Sequence, residues 1–268
     1  MGEVKLSHEN WKFVLFRWSA LDWKTPQSHM SLLTVVRHGQ ASFLAENYDK
    51  LSPLGEMQSR LLGEYWLAAG VEFDQVYYGP AERQIRTGEI VGDLFRKASR
   101  RWPEPAMMPE FDEYPAETIV KTFLPGLMQT YPELARAVEE LRTTEDFHAK
   151  QRMFDRVLRE VSQRWLEGEV GAPEIPTWQD FCHRIEVCIR KIVGKAAKSS
   201  SVVVFTSGGP TAAAVRAALG LSYRNTLDLT WTTRNTALTE FLFSGERFSL
   251  SSYNGTPHLT DRAQLTYR

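Results

Sequence analysis

Leu32-Leu33-Thr34-Val35-Val36-Arg37-His38-Gly39 is the stretch from which the rest of the chain is read. Its first five residues are apolar or β-branched without alternation. That is the pattern of a strand buried on both faces, as in a parallel sheet. The strand ends in two polar residues and a glycine. Ser201 to Thr206 repeats the arrangement and runs into Ser207-Gly208-Gly209-Pro210, a tight turn that opens a helix through Leu219. In open α/β sheets, ligands bind beyond the carboxyl ends of strands. Glycine lets backbone approach a ligand closely, and the free N–H groups at a helix start favour an anion. On these grounds alone the two turns form an anion site with His38 at its centre.

Between and beyond these strands the pattern alternates. Ser52-Pro53 supplies an N-cap and a proline at the first helical position. Apolar residues at helical spacing then run from Leu54 to Ala68, and Gly70 stops the helix. Val76 to Tyr78 reads as a second strand, broken by Gly79-Pro80, and Ala81 to about Ala98 as a helix. From Pro115 to about Pro176 there are helices (Glu133 to Leu141, Phe147 to Glu167) joined by turn-like pieces, with no clear strand. A helix from Trp178 to about Lys195 returns to the core. Ala237 to Phe243 and Phe248 to Tyr253 form a hairpin around Ser244-Gly245-Glu246. The fold class is therefore α/β: a three-layer sandwich with a mostly parallel central sheet, helices on both faces, and a helical insertion at about 115–176 over the active-site end. Residues 30–268 form this domain. Residues 1–29 are an N-terminal extension, disordered or artefactual. We expect Met30 to be the true start, and the extension, a docking arm in the alternative reading, to be dispensable for catalysis.

A formal net charge of −1 and a pI near 6.6 leave no global basic field for nucleic acid or an anionic membrane. A few local arginines can still hold one small anion. Cys182 and Cys188 stand six apart in a helical pattern. That spacing does not face them, so no disulfide is expected and a reducing, cytoplasmic compartment is favoured. No apolar run approaches the ~20 residues of a membrane span. No His/Cys/Asp/Glu cluster has metal-ligand spacing, and neither a P-loop nor a dinucleotide glycine pattern is present. Oligomeric state is left open, a homodimer included.

Four blocks carry a family resemblance. Val35 to Ala41 resembles the nucleophile signature of the histidine phosphatase superfamily, which includes cofactor-dependent phosphoglycerate mutases. Tyr78 to Gly88 is similar to the family's strand–Ser-Pro–x–x–Arg–x–x–Gln-Thr-Ala block. Phe111-Asp112-Glu113-Tyr114 resembles the segment carrying the family's acid, and Val202 to Pro210 the family's second strand and turn. The likeness spans most of residues 30–258 and leaves the insertion unmatched.

What the resemblance implies is a phosphomonoester hydrolase without metal or cofactor, acting on a small phosphorylated substrate. His38 would be the nucleophile, forming a phosphohistidine that water hydrolyses. Arg37 and Arg83 would clamp phosphoryl oxygens, with Ser207 and Gly208 completing the phosphate site. Glu113 would be the general acid, with Glu110, Glu117 and Asp112 as rivals. Two positions depart from the pattern. The family's second His is Ser207 here, and its frequent Asn six residues after the nucleophile is Leu44, for which Ser42 or Asn47 would substitute. A slow phosphatase follows, whose turnover Ser207→His is expected to raise if the Gly208-Gly209 turn leaves room. The alternatives are a mutase and a non-catalytic phosphate-binding regulator. His183 and His148 read as bystanders, His258 as a structural hydrogen-bonder, and Trp178 and Phe181 as core.

Overall fold

The computed structural model describes residues 30–42 and 49–267. The expectations for residues 1–29, Leu44 and Asn47, and the side chain of His148, lie outside the described residues.

Six strands form one sheet in the order β3-β2-β4-β1-β5-β6. They are β1 (Ser31–Arg37), β2 (Gln75–Tyr78), β3 (Ala106–Met107), β4 (Ser201–Thr206), β5 (Leu238–Ser244) and β6 (Arg247–Gly255). β1 to β4 run parallel, and β5 is antiparallel to both of its neighbours. β1 lies at the centre, in register with β4 from Leu32 opposite Ser201 to Arg37 opposite Thr206. The two polar turns therefore leave the sheet side by side at its carboxyl edge, tied by the His38 N–H to the Thr206 carbonyl at 2.8 Å.

Strand alternation builds the layers. Leu33, Val35, Val202 and Val204 point to one face, and Val36, Val203 and Phe205 to the other. The second face is covered by α1 (Pro53–Ala68) and α2 (Glu82–Lys97) through Leu62, Trp66, Val91 and Phe95. The first face is covered by α6 (Trp178–Lys195) and α7 (Gly208–Leu219) through Ile185, Ile189, Ala213 and Ala214. α1 starts as its sequence dictates, with Ser52 Oγ accepting the Gly55 N–H. Cys182 and Cys188 are buried, free thiols, both pushed up to about 12 by burial.

Residues 116–167 hold three helices, α3 (Ala116–Thr130), α4 (Pro132–Thr143) and α5 (Phe147–Glu167), where two were expected. α3 escapes a propensity reading because Pro125 and Gly126 sit inside it. What holds it is the buried stripe Ile119, Phe123 and Leu127, one residue per turn. Two further elements were also unforeseen. β3 is a two-residue edge strand, and α8 (Tyr223–Thr230) is a short helix capped by Ser222. Among the described residues no helix is long and apolar enough to cross a membrane.

Candidate active site

His38 follows directly from β1, and its side chain is buried. Its Nδ1 lies 2.7 Å from the Gly39 carbonyl, which can only accept, so Nδ1 carries the hydrogen and Nε2 the lone pair. Arg83 Nε donates to that lone pair at 3.1 Å. Burial pushes the imidazole well below its ordinary 6.5, and the charges of Arg83 and Arg37 push the same way. The ring is thus neutral, in one tautomer, with its lone-pair nitrogen toward Arg83.

The backbone that carries His38 is held from several sides. The Gly39 N–H donates to Thr87 Oγ1 at 3.0 Å, and Asn235 Nδ2 to the His38 carbonyl at 3.0 Å. The Thr236 N–H reaches the carbonyls of Arg37 and His38. Thr236 sits at a φ of 53°, a conformation that costs energy for a branched residue. Its hydroxyl donates to the Asn235 carbonyl and so accepts from His258 Nε2 at 2.8 Å. That leaves His258 Nδ1 a buried lone pair without a partner, consistent with an imidazole that burial lowers to about 4. His258 is structural, reaching the His38 backbone through Thr236. Close packing sets the path of the turn: a Cβ on Gly39 would stand 2.5 Å from the Gly55 carbonyl oxygen.

Arg37 is buried and donates through Nη1 to the Thr233 carbonyl. Arg83 stands in the first turn of α2, with Nη1 on Asp49 Oδ1, while Asp49 Oδ2 accepts the Glu82 N–H at 2.8 Å. Two guanidinium groups therefore flank one neutral imidazole. Among the described residues no group of three or more His, Cys, Asp or Glu side chains is arranged to hold a metal.

Of the four candidate acids, Glu113 alone is turned inward. Its Oε2 accepts the Gly209 N–H and its Oε1 the Tyr114 N–H, each at 3.0 Å. Burial raises its pKa above the ordinary 4.5, against the pull of those two N–H groups and of Arg83 and Arg37. The low-dielectric wall is aromatic. Tyr114 is packed against Trp165, Trp178 and Phe181 at 5.4–5.9 Å between ring centroids. Glu110 is instead paired with Lys191 at 3.2 Å and its pKa is lowered. Glu117 is exposed and paired with Lys121. Asp112 is exposed and spends Oδ1 on the Glu113 N–H.

The turn after β4 differs from the expectation of an open helix start. The Gly209 N–H is occupied by Glu113 and Pro210 has none, so among the described residues this helix start offers fewer N–H donors than usual, with Gly208 as the candidate. A Cβ on Gly208 would lie 3.7 Å from the Arg37 guanidinium carbon. Ser207 is fully buried, and its Oγ accepts from Gln84 Nε2 at 2.7 Å. Sequence reading overlooked Gln84, Asp49, Thr87 and Asn235. Thr87 lies inside the quoted Tyr78–Gly88 block, whereas Gln84 falls on a position where that pattern is silent. Ser42 is tied through its backbone N–H to the Lys50 carbonyl at 2.8 Å. His183 is exposed, and Trp178 and Phe181 are buried in the core.

Residues 133–256 match the family model described as the histidine phosphatase superfamily (branch 1). The match begins at α4, so it takes in part of the insertion, which the sequence blocks had left unmatched. A 2,3-bisphosphoglycerate-dependent phosphoglycerate mutase of Caulobacter vibrioides is 35% identical over 75 residues, 26% of this chain. That match spans about a third of the relative's length (32%). Solved structures share the fold. A phosphoserine phosphatase mutant from Entamoeba histolytica superposes with a TM-score of 0.55 at 17% identity, covering 86% of this chain and 100% of that one. A phosphoglycerate mutase from Bacillus anthracis gives 0.54 at 18%, covering 87% and 96%. A mycobacterial glucosyl-3-phosphoglycerate phosphatase gives 0.54 at 16%, covering 84% and 99%. Family model, curated relative and shared fold thus bear out the likeness to the histidine phosphatase superfamily, phosphoglycerate mutases included, that the four sequence blocks carry.

Proposed function

We propose that the chain is a phosphomonoester hydrolase that passes a phosphoryl group from substrate to His38 and then to water. The observation that carries this reading is the state of His38: a buried, neutral imidazole whose Nε2 lone pair faces the half-buried Arg83, within the field of the buried Arg37. Arg83 gives up its bond to Nε2 as a phosphoryl group arrives and turns its N–H groups to the phosphoryl oxygens. Nε2 then attacks phosphorus and the ester oxygen leaves. Arg37, Arg83 and the Gly208 N–H offset the charge on the three phosphoryl oxygens, so the positive charge that phosphoryl transfer needs comes from guanidinium groups. Glu113 enters the step protonated, the form that its burial favours, and gives its proton to the leaving oxygen. The resulting carboxylate then activates water for the second step. No step in this scheme calls for a metal ion.

A mutase is the second reading, favoured by the identity to the Caulobacter relative. It differs only in where the phosphoryl group goes, back to a hydroxyl of the substrate instead of water. A non-catalytic phosphate binder is the third, suggested by Ser207. Turnover of p-nitrophenyl phosphate, with quenching under alkaline conditions to trap an acid-labile adduct on the His38 peptide, separates the three. Release of phosphate with a trapped adduct supports the hydrolase. An adduct that persists in water and is discharged by a phosphorylated acid supports the mutase. No adduct and no turnover, or wild-type turnover in His38→Ala, overturns the proposal.

A further inference from the structure

Gln84 sits inside the protein with its side chain fully buried, one residue after the arginine that touches His38. Its Oε1 accepts the Ala81 N–H at 3.2 Å. Its Nε2 donates to Ser207 Oγ at 2.7 Å and to the Phe111 carbonyl at 3.4 Å. This amide cannot be reversed. Turned over, its oxygen would face the Phe111 carbonyl and its NH₂ the Ala81 N–H, two repulsive pairs in place of two bonds. Space also holds it, since a Cβ on Gly79 would stand 2.1 Å from Gln84 Oε1.

The fixed amide decides the polarity of Ser207. Because Oγ accepts from Gln84, the hydroxyl hydrogen must point elsewhere. Ser207 caps α7 but makes no side-chain cap bond, and among the described residues its hydroxyl donates no hydrogen bond. A buried O–H that donates no bond within the protein is a donor open to something the site receives. Its surroundings say what. The next residue packs on the Arg37 guanidinium, the one after holds Glu113, and the residue before Gln84 holds His38.

We infer that Gln84 and Ser207 act as one unit, in which the Gln84 carboxamide orients the Ser207 hydroxyl as a hydrogen-bond donor to a phosphoryl oxygen. Ser207 touches the substrate, and Gln84 is a positioning residue. Together they fill the place where the resemblance leads one to expect a histidine. The unit assigns a role within the site of the proposed hydrolase and rests on that reading of where phosphate sits.

One consequence runs against the simple expectation for Ser207→His. An imidazole extends beyond the Oγ position, into the 2.7 Å contact with Gln84 Nε2. The single change therefore jams, and room appears only when Gln84 is shortened as well.

The test reads the affinity for inorganic phosphate by calorimetry and, separately, turnover of p-nitrophenyl phosphate. Wild type, Ser207→Ala, Gln84→Met and the double variant form one cycle. Thermal unfolding of each confirms that it is folded. Each single variant is expected to weaken phosphate binding by about tenfold, as loss of a bond to a charged group does. The double variant should lose no more than either single one, because both changes silence the same hydrogen. Additive losses, or an unchanged affinity in either single variant, overturn the inference. A second pair keeps the outcome decisive if Gln84→Met does not fold: Ser207→His should bind phosphate worse than Ser207→His with Gln84→Ala, and the reverse order overturns the shared-space argument. The affinity cycle stands whether or not the wild type turns over, so failure of the hydrolase reading and failure of the Gln84–Ser207 unit give different results.

Discussion

Replacing Gly209 by alanine puts a methyl carbon 2.0 Å from Glu113 Oε1 and 3.0 Å from Tyr114 Cδ1. Tyr114 cannot retreat, because Trp165, Trp178 and Phe181 stand behind it. The carboxyl must therefore rotate away and lose its bonds to the Gly209 and Tyr114 N–H groups. A hydrogen bond of the neutral acid contributes about 0.5–1.5 kcal/mol, and with both lost the displaced carboxyl is not held. Helical alanine is itself up to about 1 kcal/mol better than glycine, so any loss of activity comes from the site and not from the helix. A positioned general acid contributes about 10²–10⁴-fold. We expect Gly209→Ala to slow an alkyl phosphate by about 10²-fold, which is about 2.7 kcal/mol of barrier. An aryl phosphate, whose leaving oxygen needs little protonation, should slow by less than about tenfold. Glu113→Gln is the control and should show the same split. The assay is kcat and kcat/KM on the two substrates, with melting temperatures alongside. Equal losses on both substrates, or an unchanged alkyl rate, would refute the placement of the acid by this glycine.

Two other expectations concern pH. The rate on an alkyl phosphate should rise with pH through the lowered pKa of His38, which must be neutral to attack, and fall through the raised pKa of Glu113, which must be protonated to donate. Glu113→Gln should abolish the falling limb, and its survival in that variant would move the acid elsewhere. For stability, His258 binds its proton near 6.5 when unfolded but only near 4 when folded. The stability it permits is complete above pH 6.5 and is lost as pH falls toward 4, by up to about 3 kcal/mol. Urea unfolding of His258→Gln should lack that part of the acid sensitivity. His38 contributes in the same direction in both proteins and cancels, so parallel pH curves for the two would contradict the assignment.

The sheet was legible where burial alone dictates sequence. β1 and β4, buried on both faces, read as unbroken apolar runs, and Ser52-Pro53 announced α1 through local chemistry. α3 was illegible because tertiary packing of Ile119, Phe123 and Leu127 overrides the proline and glycine within it. Two residues of β3 are too few for any period to appear. At the site, His38, Arg37 and Arg83 lie on short, dense motifs. The choice among Glu110, Glu113 and Glu117 does not, since a contact with Gly209, far along the chain, turns one carboxyl inward. Gln84 was invisible for the same reason: its meaning is set by Ser207, 123 residues away.

The wall of aromatic rings behind Glu113 has a consequence for how this protein ages, warms and varies. Trp165 belongs to the insertion, Trp178 and Phe181 to the helix that follows it, and Tyr114 joins both to the acid. The insertion therefore reaches the site through its packing on Tyr114. Its packing keeps water from one carboxyl, so its tightness sets that group's acidity. Loosening α5 by mild denaturant, heat or a trimmed tryptophan would let water in and bring the acid back toward ordinary strength while the sheet stands intact. The pH optimum of the proposed hydrolase would drift before the fold gave way, its chemistry lost by becoming wet rather than by unfolding.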